Sequence, residues 1–356
     1  MTREAVFDAP VANELDVRGE ARLYRALRHF WHPVMYASSL GADGGPKRAH
    51  LLGEQLVVAR LGGEVRCFPD LCVHRGTALS LGWIEDDHLR CAYHGWTYGA
   101  DGVCTSIPAR FGSNIPSRAR LRPYRVAERN GLIYVCLEEP RFPLPTFPQF
   151  DDPAFRVLEV PEYDWSTSAP RRIENYVDFS HFAWVHDGVL GDRNHPEVPD
   201  HDVWREGGEL RFGYSDYIEP EAIDKNEGLA SDGAGTVTTQ LRYRLFMPNT
   251  VLLEQELPGG TYCLFFSVAP VGPRTVRNFT LMARNYQLDD LENGDRNMLE
   301  FNELVIGQDL PIVESQRPEE LPFDLSAELH IRGVDKVSIE YRKWLAELAA
   351  ELVPAA

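Results

Sequence analysis

The 356-residue chain contains no run of about 18 apolar residues, so no part of it reads as a membrane-spanning helix. Basic residues are scarce beside acidic ones: 36 Lys and Arg against 54 Asp and Glu leave a formal net charge of −18. A nucleic-acid partner calls for a basic face, so that class of function is excluded. The charge suits a protein that meets a small substrate and a redox partner carrying a basic patch. Six cysteines are too few for a disulfide framework. No G-x-G-x-x-G is present, so the chain carries no dinucleotide-binding signature of its own. The opening MTREAVFDAPVANELDVRGE lacks the charged-then-apolar pattern of a signal peptide, and the expected location is the cytoplasm. No internal repeat is visible.

What is present divides in two. The apolar fraction of 44% is ordinary for a chain that buries a core, and the length favours two domains. Residues 21–36 read as a short helix leading into a strand, within a lead-in covering 1–44. From Leu51 the pattern turns to strands, with a hairpin around Gly62-Gly63 and another strand entered from Asn130-Gly131. Residues 45–140 therefore read as a small β domain. Residues 139–153 hold five prolines and suit neither a helix nor a central strand; a semi-rigid linker over 141–153 is expected. Beyond it, in 154–356, alternating segments at 236–247, 250–257, 261–270 and 277–286 resemble successive antiparallel strands. Helical periodicity appears around 171–187, around 294–309 and from Asp335. The last of these aligns Val337, Tyr341, Trp344, Leu345, Leu348 and Leu352 as one stripe. The polar stretch 221–235 reads as an exposed loop and a candidate lid. The fold class is α+β: a β domain, then an antiparallel sheet with flanking helices in a helix-grip-like arrangement.

Two clusters carry chemistry. Cys72-Val73-His74 is followed, after sixteen residues, by Cys91-Ala92-Tyr93-His94. Each half is a two-ligand claw, and two thiolates with two imidazoles can hold zinc or a [2Fe–2S] cluster with histidines on one iron. C-x-H is an unusual zinc half-site, which favours iron–sulfur. Gly76 and Gly95 allow the tight loops that approach a cluster closely. Cys67, Cys104, Cys136 and Cys263 have no nearby partner and read as small buried hydrophobes.

The second cluster lies in ENYVDFSHFAWVHD (174–187). His181 and His186 are five residues apart, about 140° too far for one helical face, so the helix must end or widen near Ser180–Val185. The two imidazoles supply two ligands of a non-haem Fe(II) facial triad. Asp178 is placed to accept the far N–H of His181. The third ligand is expected to be Asp309, with Pro311 ending its helix and holding the carboxylate at a rigid terminus; Glu303 is the competitor. Asp290 and Asp295 read as part of a solvated charge cluster.

Together, C-x-H-x16-C-x2-H, then N-x2-D-x2-H-x4-H, then a lone Asp in the last quarter resemble the Rieske non-haem iron oxygenases over nearly the whole chain. RHFWHPV (28–34), LLGEQLVVARLG (51–62), ENYVDFSHF (174–182) and DKVSIEYRKWL (335–345) look like the bacterial methylxanthine N-demethylases. The aromatic O-demethylases of the vanillate and dicamba type are wider relatives. The resemblance implies an α-only terminal oxygenase whose cluster ligands are Cys72, His74, Cys91 and His94. Its Fe(II) ligands would be His181, His186 and Asp309, with Asn175 behind them. Asp178 would join His94 of one subunit to His181 of the next, which implies a homotrimer. Asn302 and Ile306, on the Asp309 helix, would line the substrate pocket, with the aromatic strand 262–268 also a candidate. Electrons would come from NAD(P)H through a separate ferredoxin or flavin reductase.

The implied reaction is monooxygenation of an aromatic or heteroaromatic small molecule, by N- or O-demethylation or by hydroxylation. Ring or C–H hydroxylation of a steroid-like or natural-product scaffold is the alternative. Two readings of other classes stay open at this point, a Rieske electron carrier and a zinc-stabilised binding module. A carrier has no use for His181, His186 and Asp309, and iron–sulfur colour would separate the two.

Overall fold

The computed structural model describes residues 21–41, 44–110, 114–220, 236–257 and 259–354. Residues 21–26 are helical and run into a 3-10 turn at Leu27–His29, then β1 (His32–Tyr36). Eight short strands follow: β2 (Lys47–Leu51), β3 (Glu54–Leu61), β4 (Glu64–Pro69), β5 (Trp83–Glu85), β6 (His88–Arg90), β7 (Thr97–Tyr98), β8 (Cys104–Ser106) and β9 (Arg125–Arg129). β10 (Leu132–Cys136) completes this half. They form three small antiparallel sheets, β2-β3-β4, β5-β6-β7-β8 and β1-β10-β9. The Gly62-Gly63 hairpin joins β3 to β4 as expected. Asn130 and Gly131, both at positive φ, make the β9–β10 turn whose twist matches the strands.

The second half is one seven-stranded antiparallel sheet. Its strands are β11 (Arg156–Trp165), β12 (Val203–Glu206), β13 (Glu209–Pro220), β14 (Thr236–Phe246), β15 (Thr250–Leu257), β16 (Gly260–Gly272) and β17 (Thr275–Arg284), in the order β11-β17-β16-β15-β14-β13-β12. The last four match the alternating segments; β11, β12 and β13 were not anticipated. The proposed lid, 221–235, lies outside the described residues.

Among the described residues four helices accompany this sheet: α1 (Ala169–Val177), α2 (Phe182–Val185), α3 (Leu291–Ser315) and α4 (Lys336–Leu352). β16 shows how the sheet serves two sides. Tyr262, Leu264 and Phe266 face the helices, while Cys263 and Phe265 enter the core shared with Tyr36 of β1 and Tyr134 of β10. The Tyr36 hydroxyl donates to the Val160 carbonyl and accepts from the Thr280 N–H, tying the first half to the second. The proline-rich connection is pinned as well: Phe147 is 1% exposed and stacks on Phe265 at 5.1 Å, and the Asn130 side chain bonds its backbone at both ends.

One expectation fails. Pro311 does not close its helix, because α3 runs through it to Ser315. The pyrrolidine removes one N–H, the one that would reach the Gly307 carbonyl, and packing carries the helix past that loss. Asp309 therefore sits inside the helix and not at its end.

Candidate metal centres and the adjoining cavity

The two Cys/His loops are near copies of one another. The Cys72 N–H donates to the Thr77 carbonyl and the Gly76 N–H returns to the Cys72 carbonyl; Cys91, Trp96 and Gly95 repeat both bonds. Gly76 and Gly95 have φ of 69° and 68°, a left-handed conformation that an L side chain would strain. Both thiols are buried at 3% and 1% exposure, unpaired by any disulfide, and neighbours of each other. The His74 and His94 rings lie 4.5 Å apart at the outer end, His74 stacked on Trp96. Tyr98 reaches Cys72 Sγ at 3.1 Å. Among the described residues only one group of three or more metal-ligating side chains has its ligand atoms within 4.8 Å of one another, and it is not this one. The four donors are thus spread wider than a single tetrahedral zinc needs, and they match a two-iron cluster with sulfur inside and imidazole outside.

The compact group is His181, His186 and Asp309. α1 stops at Val177, three residues before the expected break, with Asp178 in an extended conformation; α2 resumes at Phe182. That interruption turns both imidazoles toward α3. Asp309 Oδ1 lies 3.5 Å from His181 Nε2 and 3.2 Å from His186 Nε2. The other ring nitrogens are held from behind: His181 Nδ1 by Asp178 at 3.3 Å, and His186 Nδ1 by Gln308 Oε1 at 2.8 Å. His186 is 1% exposed, yet its Nε2 makes no hydrogen bond of acceptable geometry, leaving a buried nitrogen aimed at the middle of the group. Burial opposes charge on His181, but its hydrogen bonds to Asp178 and Asp309 outweigh it and raise its pKa to about 9. Burial also opposes charge on Asp309, but the two histidines and Arg172 hold it well below the usual carboxylate range. Surroundings that favour a proton here favour a cation too, and two imidazoles with one carboxylate fit Fe(II).

Asn175 Nδ2 donates to Asp309 Oδ1 at 3.3 Å, and Arg172 donates to Asn175 Oδ1. Arg172, 2% exposed, packs on Trp165 and Phe266, its guanidinium carbon 4.1 and 4.6 Å from their ring centres. A cavity opens beside the triad between the sheet and the helices, about 800 Å3 when the open solvent at its mouth is counted. Asn302 and Ile306 line it from α3, and Tyr262, Leu264 and Phe266 from β16.

Two family models match the chain: a Rieske [2Fe-2S] domain over residues 30–118, and the vanillate O-demethylase oxygenase C-terminal domain over residues 165–351. The chain belongs to the Rieske non-haem iron oxygenases. Among its relatives, methylxanthine N1-demethylase NdmA of Pseudomonas putida is 39% identical over 330 residues, 90% of this chain and 89% of that one. Methylxanthine N3-demethylase NdmB of the same organism is 34% identical over 342 residues, 92% and 91% of the two chains. The solved structure of NdmA with caffeine superposes with a TM-score of 0.80 at 34% identity, covering 93% of this chain and 96% of that one. Dicamba monooxygenase bound to dicamba superposes at 0.76 and 20% identity, over 91% and 98%, a likeness of fold alone.

As a Rieske oxygenase the protein is an oxidoreductase that uses a [2Fe–2S] cluster, a mononuclear iron and electrons from a separate reductase. The electron-carrier and zinc-module readings fall with that membership. No described helix is long and apolar enough to cross a membrane. Of the competitors for the third ligand, Glu303 is exposed, Asp290 caps α3 by accepting the Asn293 N–H, and Asp295 pairs with the fully buried Arg284. Asp295 thus belongs to a half-buried ion-pair network with Arg284 and Arg156 and not to a solvated face. Sequence reasoning missed Gln308 and Arg172. Gln308 stands beside Asp309, where an amide next to a candidate ligand was a visible signal; the arginine pair 171–172 in an otherwise apolar helix start was a weaker one.

Proposed function

We propose that this Rieske oxygenase demethylates an N- or O-methyl aromatic or heteroaromatic small molecule. The observation that carries the reading is the His181, His186 and Asp309 triad, with its unpartnered imidazole nitrogen, opening on a cavity lined largely by aromatic and aliphatic side chains. Relatives that match over about nine-tenths of both chains, methylxanthine N1- and N3-demethylase, point the same way. Cys72, His74, Cys91 and His94 hold the cluster; His181, His186 and Asp309 hold the iron, with Asn175 orienting Asp309. When bound, the two centres supply stored electrons and oxygen activation. The aromatic wall and α3 residues Asn302 and Ile306 position the methyl group and exclude water. Overall, one O2, two electrons and two protons turn a methyl C–H into hydroxymethyl plus water. The hydroxymethyl then collapses to formaldehyde and the demethylated N–H or O–H.

The working assembly in this proposal is a head-to-tail homotrimer in which Asp178 relays electrons from His94 of one subunit to its own His181. Asp178 keeps 31% of its side chain exposed, on a groove whose rim carries Leu329 at 89% and Ile312 at 50% exposure. The cluster loops expose Leu71, Val73 and Tyr93, a matching apolar surface. Residues 45–140 and 154–356 act as the electron-transfer and catalytic domains, working in the cytoplasm.

The test is purification without chelator, with iron and acid-labile sulfide analysis. About three irons and two sulfides per chain are expected. Asp309→Asn should lose one iron and keep both sulfides. A screen of N- and O-methyl aromatics with a surrogate reductase should then release formaldehyde; hydroxylated product without formaldehyde would move the reaction to ring or C–H hydroxylation.

A further inference from the structure

The charge of the chain is unevenly spread. Residues 45–140 hold 12 Lys and Arg against 10 Asp and Glu, within a chain whose net charge is −18. Residues 102–127 contain five arginines and no acid at all. The net charge favours a redox partner with a basic patch, but a docked protein feels charges within about one Debye length, roughly 8 Å in physiological salt. At that range the cluster half presents the opposite sign.

The arginines of this half divide by partner. Arg48, Arg60, Arg66, Arg90 and Arg125 are each paired with an Asp or Glu. Arg118, Arg120 and Arg122 are exposed, and among the described residues none of them has a carboxylate within ion-pair distance. They form a row because the chain alternates there. Ala119 and Leu121, 5% and 3% exposed, turn inward to the core cluster that contains Cys72 and Cys91. The backbone fixes them. The Cys104 N–H donates to the Ala119 carbonyl and the Leu121 N–H to the Gly102 carbonyl, so the segment runs along the β8 edge of the cluster sheet. With alternate residues buried, the arginines between them face solvent. Arg75 adds an exposed guanidinium, also without a carboxylate partner among the described residues, in the loop of Cys72 and His74.

We infer that Arg118, Arg120 and Arg122 are the docking surface for the protein that reduces the cluster, and that this donor carries an acidic face. The inference rests on the chain's place among the Rieske oxygenases, which take electrons from a separate reductase, and not on demethylation. A second copy of this acidic chain is the other candidate. In the proposed trimer, however, the cluster meets its neighbour through the apolar loop residues Leu71, Val73 and Tyr93. A row of unpaired arginines suits a small, wet, transient encounter better than a permanent interface, where each charged head would lose its water. Opposite charges across such an encounter speed its formation.

The experiment mixes the anaerobic holoenzyme with a reduced plant-type [2Fe–2S] ferredoxin, chosen for its acidic surface, and follows the visible bands of the Rieske cluster. One electron leaves the ferredoxin cluster and enters this one, with no bond made or broken. The second-order rate should fall as salt rises. In the triple variant Arg118→Ser, Arg120→Ser, Arg122→Ser it should fall about tenfold or more at low salt. Reduction by dithionite and the mass of the assembly should stay unchanged. A rate that rises with salt, or a variant reduced as fast as the wild type, overturns the inference. So does an equal slowing with dithionite, which would place the effect in the cluster, or a loss of assembly mass, which would give the row to a second copy of the chain. Should the triple variant not fold, the salt dependence of the wild type decides. Formaldehyde release from a methylated aromatic, driven by a small-molecule reductant, tests the proposed function without any docking, so the two can fail separately.

Discussion

Gln308 gives the sharpest handle on the iron site. His186 is 1% exposed, and its Nδ1 lies 2.8 Å from Gln308 Oε1, so the ring donates there and Nε2 is left bare toward Asp309. Gln308→Leu keeps roughly the same volume but removes the acceptor. The His186 N–H would then be buried without a partner, and the ring would be free to take the other tautomer or rotate. Loss of such an outer hydrogen bond typically weakens a metal site 10- to 100-fold, about 1.4 to 2.7 kcal/mol. The assay is an anaerobic Fe(II) or Co(II) titration of protein stripped only at the mononuclear site, with the cluster's visible bands as an internal control. The variant should bind metal 10- to 100-fold more weakly with those bands unchanged. Gln308→Glu, which restores an acceptor, should recover most of the affinity. Wild-type affinity in Gln308→Leu would refute the reasoning, since His186 would then need no partner behind it.

Asp178→Asn should retain iron, sulfide and the visible spectrum while turnover falls at least about tenfold; normal turnover would overturn the proposed electron path through Asp178. Arg342 is 2% exposed and pairs with Glu174 of α1 and Glu328, so Arg342→Met strands buried carboxylates and should cost about 3 kcal/mol or more in denaturant unfolding. An unfolding midpoint like the wild type's would show that network to be dispensable. Burial lowers the His32 pKa from 6.5 to about 4, so the folded state resists a proton that the unfolded chain accepts. Its contribution is complete above pH about 6.5 and declines as pH falls toward about 4, by about 3 kcal/mol in all. His32→Gln should flatten stability against pH over that window, and an unaltered slope would contradict the assignment.

The candidate metal ligands were legible because their chemistry leaves short-range marks: paired Cys/His spacing, and two histidines too far apart for one helical face. The last four strands of the large sheet were legible because one face meets the helices and the other meets β1 and β10, which enforces alternation. β11 was hidden by its charge: Arg156, Glu159, Glu162 and Asp164 sit on an edge strand, where one side needs no neighbour. The length of α3 was misjudged because proline propensity is a local rule, and here the packing of Val313 into the core overrides it. Gln308 was marked only by its place beside Asp309, and Arg172 only by the arginine pair 171–172. Their roles exist only once strands and helices distant in the chain are brought around one cavity.

Gln308 lies 122 positions after His186, and the triad is the meeting point of two segments that share little else in sequence. A metal held there would clasp α3 onto α1 and α2, and α3 is also a side wall of the cavity through Asn302 and Ile306. Stripping the metal would thus unfasten one side of the chamber as well as remove the reactive centre. A chelated enzyme should grip its substrate poorly even where no chemistry is asked of it, and hydrogen exchange along Leu291–Ser315 should quicken before the sheet responds.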